Sequence, residues 1–113
     1  MTRTSTDYII VHCSDTPKEM DIGADTIRRW HVEENGWSDI GYHFVIKRDG
    51  TVENGRGQDD TGAHARGYND KSIGICMVGG KPNANFTAAQ WVSLEDLVKN
   101  LWLEYPLAEV VGH

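Results

Sequence analysis

Apolar residues recur along the chain in runs, in alternation and at helical spacing, and each pattern predicts an element. The stretch "DYIIVHCS" is β-rich and apolar on both faces, as a central strand covered by helices on each side would be, and predicts strand one over residues 8–13. "ADTIRRWHVEENGW" places Ile27, Trp30 and Glu34 at helical spacing and offers Gly36 as a C-terminal stop, an amphipathic helix. In "GYHFVIKRDGTVENGR", Tyr42, Phe44 and Ile46 alternate with His43, Val45 and Lys47 before "DG" turns the chain back into "TVE", a β-hairpin.

Residues 56–71, "RGQDDTGAHARGYNDK", are polar, carry glycines and lack any period. Loops of that kind on a rigid scaffold are often functional. "SIGICMVGG" follows as another buried strand. "NFTAAQWVSLEDLVKNLWLEYP" supplies Thr87 as N-cap with Gln90 three residues on, a capping box, and a stripe of Trp91, Leu94, Leu97, Val98, Leu101 and Trp102. Pro106 ends this helix, and "LAEVVGH" reads as a final strand. The order β, α, β-hairpin, loop, β, α, β predicts an α/β domain with a mixed central β-sheet flanked by helices. At 113 residues the chain accommodates one domain with one core.

Composition narrows the classes of partner. An apolar content of 39% with four tryptophans and three prolines describes a folding chain. A formal charge of −6 excludes a general nucleic-acid binder, which needs a basic face to displace counterions. The same charge gives no electrostatic help toward an anionic membrane or wall, so affinity for either must come from a specific pocket. The start, "MTRTSTDYIIVHCSDT", has an apolar run far too short for a secretory signal or a membrane span, which predicts a chain that begins in a cytoplasm. Cys13 and Cys76 both lie in apolar strand-like runs, where a reduced, packed cysteine is expected.

Histidines and one tyrosine carry the candidate chemistry. His12 ends a predicted central strand, where open α/β sheets tend to bind ligands, and both a metal-ligand and a packed-core reading fit it. His113 likewise follows a strand, and two such histidines on neighbouring strands could share a metal. His31, beside Arg28, Arg29 and Glu34, reads as a partly exposed helix residue, and His64 as a pocket-side or solvated loop residue. Tyr42, at the start of a hairpin strand, reads as a core aromatic with its hydroxyl at the rim; the hydroxyl becomes chemical only beside a metal-bound carbonyl.

Taken together, "IIVHCSDT", "IGYHFVIKRDGTVENGR", "GAHARGYNDKSIGICMVGG" and the terminal "GH" resemble the zinc amidases that cut N-acetylmuramoyl-L-alanine bonds, the family of phage amidase endolysins and peptidoglycan recognition proteins. The likeness runs from about Tyr8 to His113 and is nearest to the small phage amidases called lysozymes. It implies Zn2+ as cofactor, His12 and His113 as metal ligands, Tyr42 as the tyrosine that assists catalysis, and His64 and Asn69 in the loop that borders the substrate groove.

The family's third ligand, a cysteine or aspartate, lies in a short loop after the second histidine, as does a lysine that several phage members use. The sequence stops at His113, so residues 1–113 are expected to form an amidase domain lacking its C-terminal tail. Cys13 points to the opposite strand face from His12, Cys76 is better explained by packing, and Asp15 is the remaining internal substitute. The resemblance implies a peptidoglycan hydrolase, a phage endolysin impaired by the missing ligand; the alternative is a non-catalytic muropeptide-binding module. The expected partner is bacterial peptidoglycan, with no nucleic acid and no membrane. Some phage relatives also inhibit a phage RNA polymerase, which the resemblance adds as a possible contact. The expected state is a monomer, made in the host cytoplasm and released to the cell wall.

Overall fold

A computed structural model describes residues 2–113. Its main sheet has five strands in the order β4-β3-β5-β1-β7. Strand β1 (Tyr8–Cys13) lies parallel between β5 (Ser72–Met77) and β7 (Glu109–Gly112). Strand β3 (Phe44–Ile46) runs parallel to β5 and antiparallel to its hairpin partner β4 (Val52–Asn54). The predicted mixed sheet is therefore present, and its parallel part is the apolar part. Every residue of β5 is buried, as a strand covered on both faces requires.

Helix α2 (Ala88–Glu104) covers one face, where Val98 and Leu101 pack with Ile9, Ile46, Ile73, Ile75 and Met77. The capping box forms: Gln90 N–H donates to Thr87 Oγ1 at 3.1 Å, and Thr87 N–H donates to Gln90 Oε1 at 3.0 Å. Gln90 is itself fully buried, and its Nε2 donates to the carbonyls of Ile46 and Val78, which ties the start of α2 to the ends of β3 and β5. Of the predicted stripe, Leu94 and Leu97 pack partly against this core, while Trp91 and Trp102 flank it and stay exposed.

Helix α1 (Ala24–Arg29) covers the other face, packing Ala24 and Ile27 with Ile22, Ile40, Val45, Cys76 and Val78. The predicted helix changes form halfway: residues Trp30–Glu34 make a π-helical turn, and Gly36 at φ 73° turns the chain away. Two further departures concern short elements. Strands β2 (Thr16–Pro17) and β6 (Gly80–Lys81) pair as a small parallel sheet, too short to leave a period in the sequence. Tyr42 lies ahead of β3 and packs with the α1 layer, while Phe44 and Ile46 pack with the α2 layer, so the alternation that put all three on one face starts only at Phe44.

Candidate active site

The parallel strands β1 and β7 end side by side, and the chemistry collects there. His12, the penultimate residue of β1, is buried at 8% exposure. His113 follows β7, and its N–H donates to the carbonyl of Val11 at 3.0 Å, extending the ladder one residue past the strand. The two imidazoles lie 4.5 Å apart between ring centroids. Tyr42 stands 5.3 Å from the His12 ring, and His64 meets that ring edge-on at 5.0 Å. All four line one cleft of about 400 Å3, with Phe86 and Trp91 on its α2 side. This is the end of the sheet at which open α/β folds place ligands.

The 56–71 loop delivers His64 by close packing on β5. Gly74 makes room for it, because a Cβ there would lie 2.5 Å from His64 Cγ. Nδ1 of His64 is 2.9 Å from Nε2 of His12, and Nε2 of His64 is 3.2 Å from Ser72 Oγ. Asn69 stands behind the ring and outside the cleft lining: its Oδ1 accepts from the N–H groups of His64 and Ala65 at 2.8 and 2.9 Å. His43, 1% exposed, pins the same loop, taking the Gly74 N–H at 3.0 Å and lying 2.8 Å from the Asp60 carbonyl.

Burial sets the charge state of these groups. It pushes His12 down to about 4, helped by the nearby charge of His113, and His64 down to about 3, helped by His12 and His43. Both rings are therefore neutral at pH 7, the form in which imidazole ligates a metal. Burial, followed by the neighbouring Cys76 thiol, raises the Tyr42 hydroxyl well above its usual range, so it remains a proton donor at any working pH.

The N-acetylmuramoyl-L-alanine amidase family profile matches residues 2–113. The chain belongs to that family. The endolysin of Klebsiella phage KP32 is 50% identical over 116 residues, covering 98% of this chain and 76% of that protein. The endolysin of Escherichia phage T7 is 52% identical with the same coverage. Among solved structures, the endolysin amidase LysCS from Clostridium intestinale superposes with a TM-score of 0.87 at 31% identity, covering 96% of this chain and 69% of that one. Drosophila PGRP-LB does so at 0.87 and 30% identity, covering 100% and 72%. The expected family, fold and activity class hold: the chain is a peptidoglycan amidase of the phage endolysin kind.

For this amidase the donor set can be tested against the family's metal. His12 and His113 offer two imidazoles from adjacent strands, a pair that suits zinc. His64 touches His12, but among the described residues no group of three histidine, cysteine or carboxylate side chains is placed to hold a metal together. Both cysteines are free; Cys76 is buried as expected, whereas Cys13, expected to be packed, is exposed beside Gly80 because its strand face ends there.

Sequence reasoning passed over His31. Its Nδ1 accepts the Gly41 N–H at 2.9 Å, and its ring packs against Trp37 at 4.5 Å and Tyr42 at 5.6 Å. His31 thus holds the backbone immediately before Tyr42. The π-helical turn that presents it has no sequence signature, and the flanking arginines make the segment read as a solvated helix face.

Proposed function

We propose that this amidase is a zinc enzyme that cleaves the amide between N-acetylmuramic acid and L-alanine, with His12 and His113 as metal ligands and Tyr42 as the donor to the reacting carbonyl. What supports the reading is that these three side chains, drawn from distant parts of the chain, line a single cleft. Zinc bound there acts as a Lewis acid and makes hydroxide available near neutral pH. His12, kept neutral by burial, contributes as a ligand without needing to lose a proton. Tyr42 keeps its proton and donates it as a hydrogen bond to the carbonyl oxygen as negative charge develops, an interaction stronger in the transition state than in the ground state. The loop that carries His64 and Asn69 borders the groove for the glycopeptide.

Hydrolysis is favoured over mere binding because the relatives at half identity over nearly the whole chain are endolysins. Action on the host wall from the cytoplasmic side is part of this proposal, and the endolysin relatives support it. The test is release of muramoyl-linked peptides from purified peptidoglycan by the metal-stripped protein, with and without added zinc. Zinc-stimulated release is expected, small at micromolar zinc and rising with zinc concentration. Release that is equal in chelator and in zinc would overturn the metal assignment while leaving the amidase activity standing.

A further inference from the structure

The hydrogen bonds around His64 run in one direction only. The Ser72 hydroxyl donates to the Tyr68 carbonyl at 2.7 Å, and a carbonyl has no proton to give back. Ser72 has a single hydroxyl proton, so toward His64 its oxygen accepts, and Nε2 of His64, 3.2 Å away, carries the hydrogen. A neutral imidazole with Nε2–H has a lone pair on Nδ1. That lone pair faces Nε2 of His12 at 2.9 Å, so Nε2 of His12 carries a hydrogen in turn. The reverse assignment would set two lone pairs against each other between His64 and Ser72. By elimination the lone pair of His12 sits on Nδ1, which makes no hydrogen bond among the described residues while the residue lines the cleft.

We propose that the chain Tyr68–Ser72–His64 is a positioning device that locks His12 in its Nε2–H tautomer and reserves Nδ1 of His12 for the metal. The proposal rests on the reading of His12 as a ligand. It gives a reason for three features that catalysis alone does not require. Ser72 is fully buried in β5 with its hydroxyl committed to a backbone carbonyl. Gly74 is open so that the His64 ring can lie against β5. Asn69 clamps the backbone of His64 from behind, which fixes where the ring stands. A hydrogen bond to the second ring nitrogen commonly sets the tautomer of a ligating histidine and holds its orientation. Here that partner is itself a histidine, so its own tautomer has to be set one step further back, by Ser72.

The decisive measurement is a long-range proton–nitrogen correlation spectrum of the histidine side chains in the 15N-labelled, metal-free protein near neutral pH, followed by calorimetric zinc titration. In the wild type, His12 and His64 are both expected to show hydrogen on Nε2 and none on Nδ1. Ser72→Ala removes the acceptor and leaves the His64 N–H buried without a partner, which favours inversion of both rings. His12 should then show a population with hydrogen on Nδ1, and zinc affinity should fall about tenfold, as for the loss of an outer-shell partner. His64→Asn keeps an acceptor at the place of Nδ1 and should preserve the His12 tautomer, whereas His64→Leu should not. Hydrogen on Nδ1 of His12 in the wild type, or a Ser72→Ala spectrum identical to wild type, would overturn the relay. If the tautomers are as stated but the wild type takes up no zinc even at millimolar concentration, the relay stands and the metal reading falls.

Discussion

His12 and His113 lie ring against ring, 4.5 Å apart and tilted by 33°, although nearly the whole sequence separates them. Parallel pairing of β1 with β7 brings this about, with Val11 opposite Gly112 and the next residue of each strand carrying an imidazole. Side chains opposite each other on neighbouring parallel strands share a face, so the register alone aims both rings into one cleft.

That arrangement predicts that both rings are needed for metal and neither for the fold. In the protein extended past His113 by a third ligand, His12→Ala and His113→Ala should each abolish measurable zinc uptake while cooperative thermal unfolding and the far-ultraviolet circular dichroism spectrum persist. Zinc stoichiometry by atomic emission is the check. An unchanged value in either variant would sink the assignment of that histidine.

Tyr42 predicts a separation of binding from turnover. Its hydroxyl remains protonated, so Tyr42→Phe removes a donor and no charge. In the protein extended past His113 by a third ligand, zinc affinity and KM should stay near wild type, while kcat on purified peptidoglycan falls about 10²-fold, the usual cost of one donor to a developing oxyanion. Unaltered kcat would leave Tyr42 as a packed aromatic of the α1 layer.

A third prediction concerns pH. His12, His31, His43 and His64 all titrate below the usual histidine range in the folded protein, each chiefly because burial disfavours the charged ring. Below pH 6.5 the unfolded chain takes up protons that the folded chain refuses. Stability is therefore complete above 6.5 and is lost as pH falls toward about 4 and 3, where His12 and His64 titrate. Asp39 does not confuse this window: desolvation is the largest single influence and raises it, but the hydrogen bonds from Arg28 and the Ile40 N–H and the charges of Arg28 and Arg56 together hold its carboxyl below the ordinary carboxylate range. The metal-free protein should lose at least about 4 °C in Tm between pH 7 and pH 4.5, which corresponds to about 1 kcal/mol for a domain of this size. Scanning calorimetry at the two pH values checks it, and a flat Tm would mean that these rings are solvated.

How much of this was legible beforehand follows from what each residue type announces. The buried strands, the capped helix and the hairpin are written in apolar periods and turn residues, and they appear where those patterns lie. Of the cleft, His12, Tyr42, His64 and His113 were identifiable by type and by family likeness. Their spacing was not, because strand register is a tertiary property. His31 and Ser72 were not legible at all: one depends on a π-helical turn and the other on a hydroxyl buried by the sheet. Polar side chains whose partners are backbone groups far away in sequence leave no local pattern to read.

The last prediction follows from the number of ligands. Catalytic zinc sites use three protein ligands and leave one position open, and on the proposed reading His12 and His113 would supply two, while no group of three such side chains is found among the described residues. Imidazole ligates without a negative charge of its own, so nothing in the pair offsets the charge of the cation, and an anionic third ligand would add attraction as well as coordination. The chain spans about three quarters of the length of the phage endolysins it matches. Residues 1–113 alone should therefore fold yet bind zinc weakly and release little peptide at micromolar zinc. Joining to His113 a short tail that carries a cysteine or an aspartate should tighten zinc by about a hundredfold, worth about 2.7 kcal/mol, and raise turnover with it. Parallel zinc titration and peptidoglycan digestion of the two proteins decide the matter. Equal digestion by both would place the third ligand within residues 1–113, with Asp15, at φ 55° just past the end of β1, as the first position to substitute.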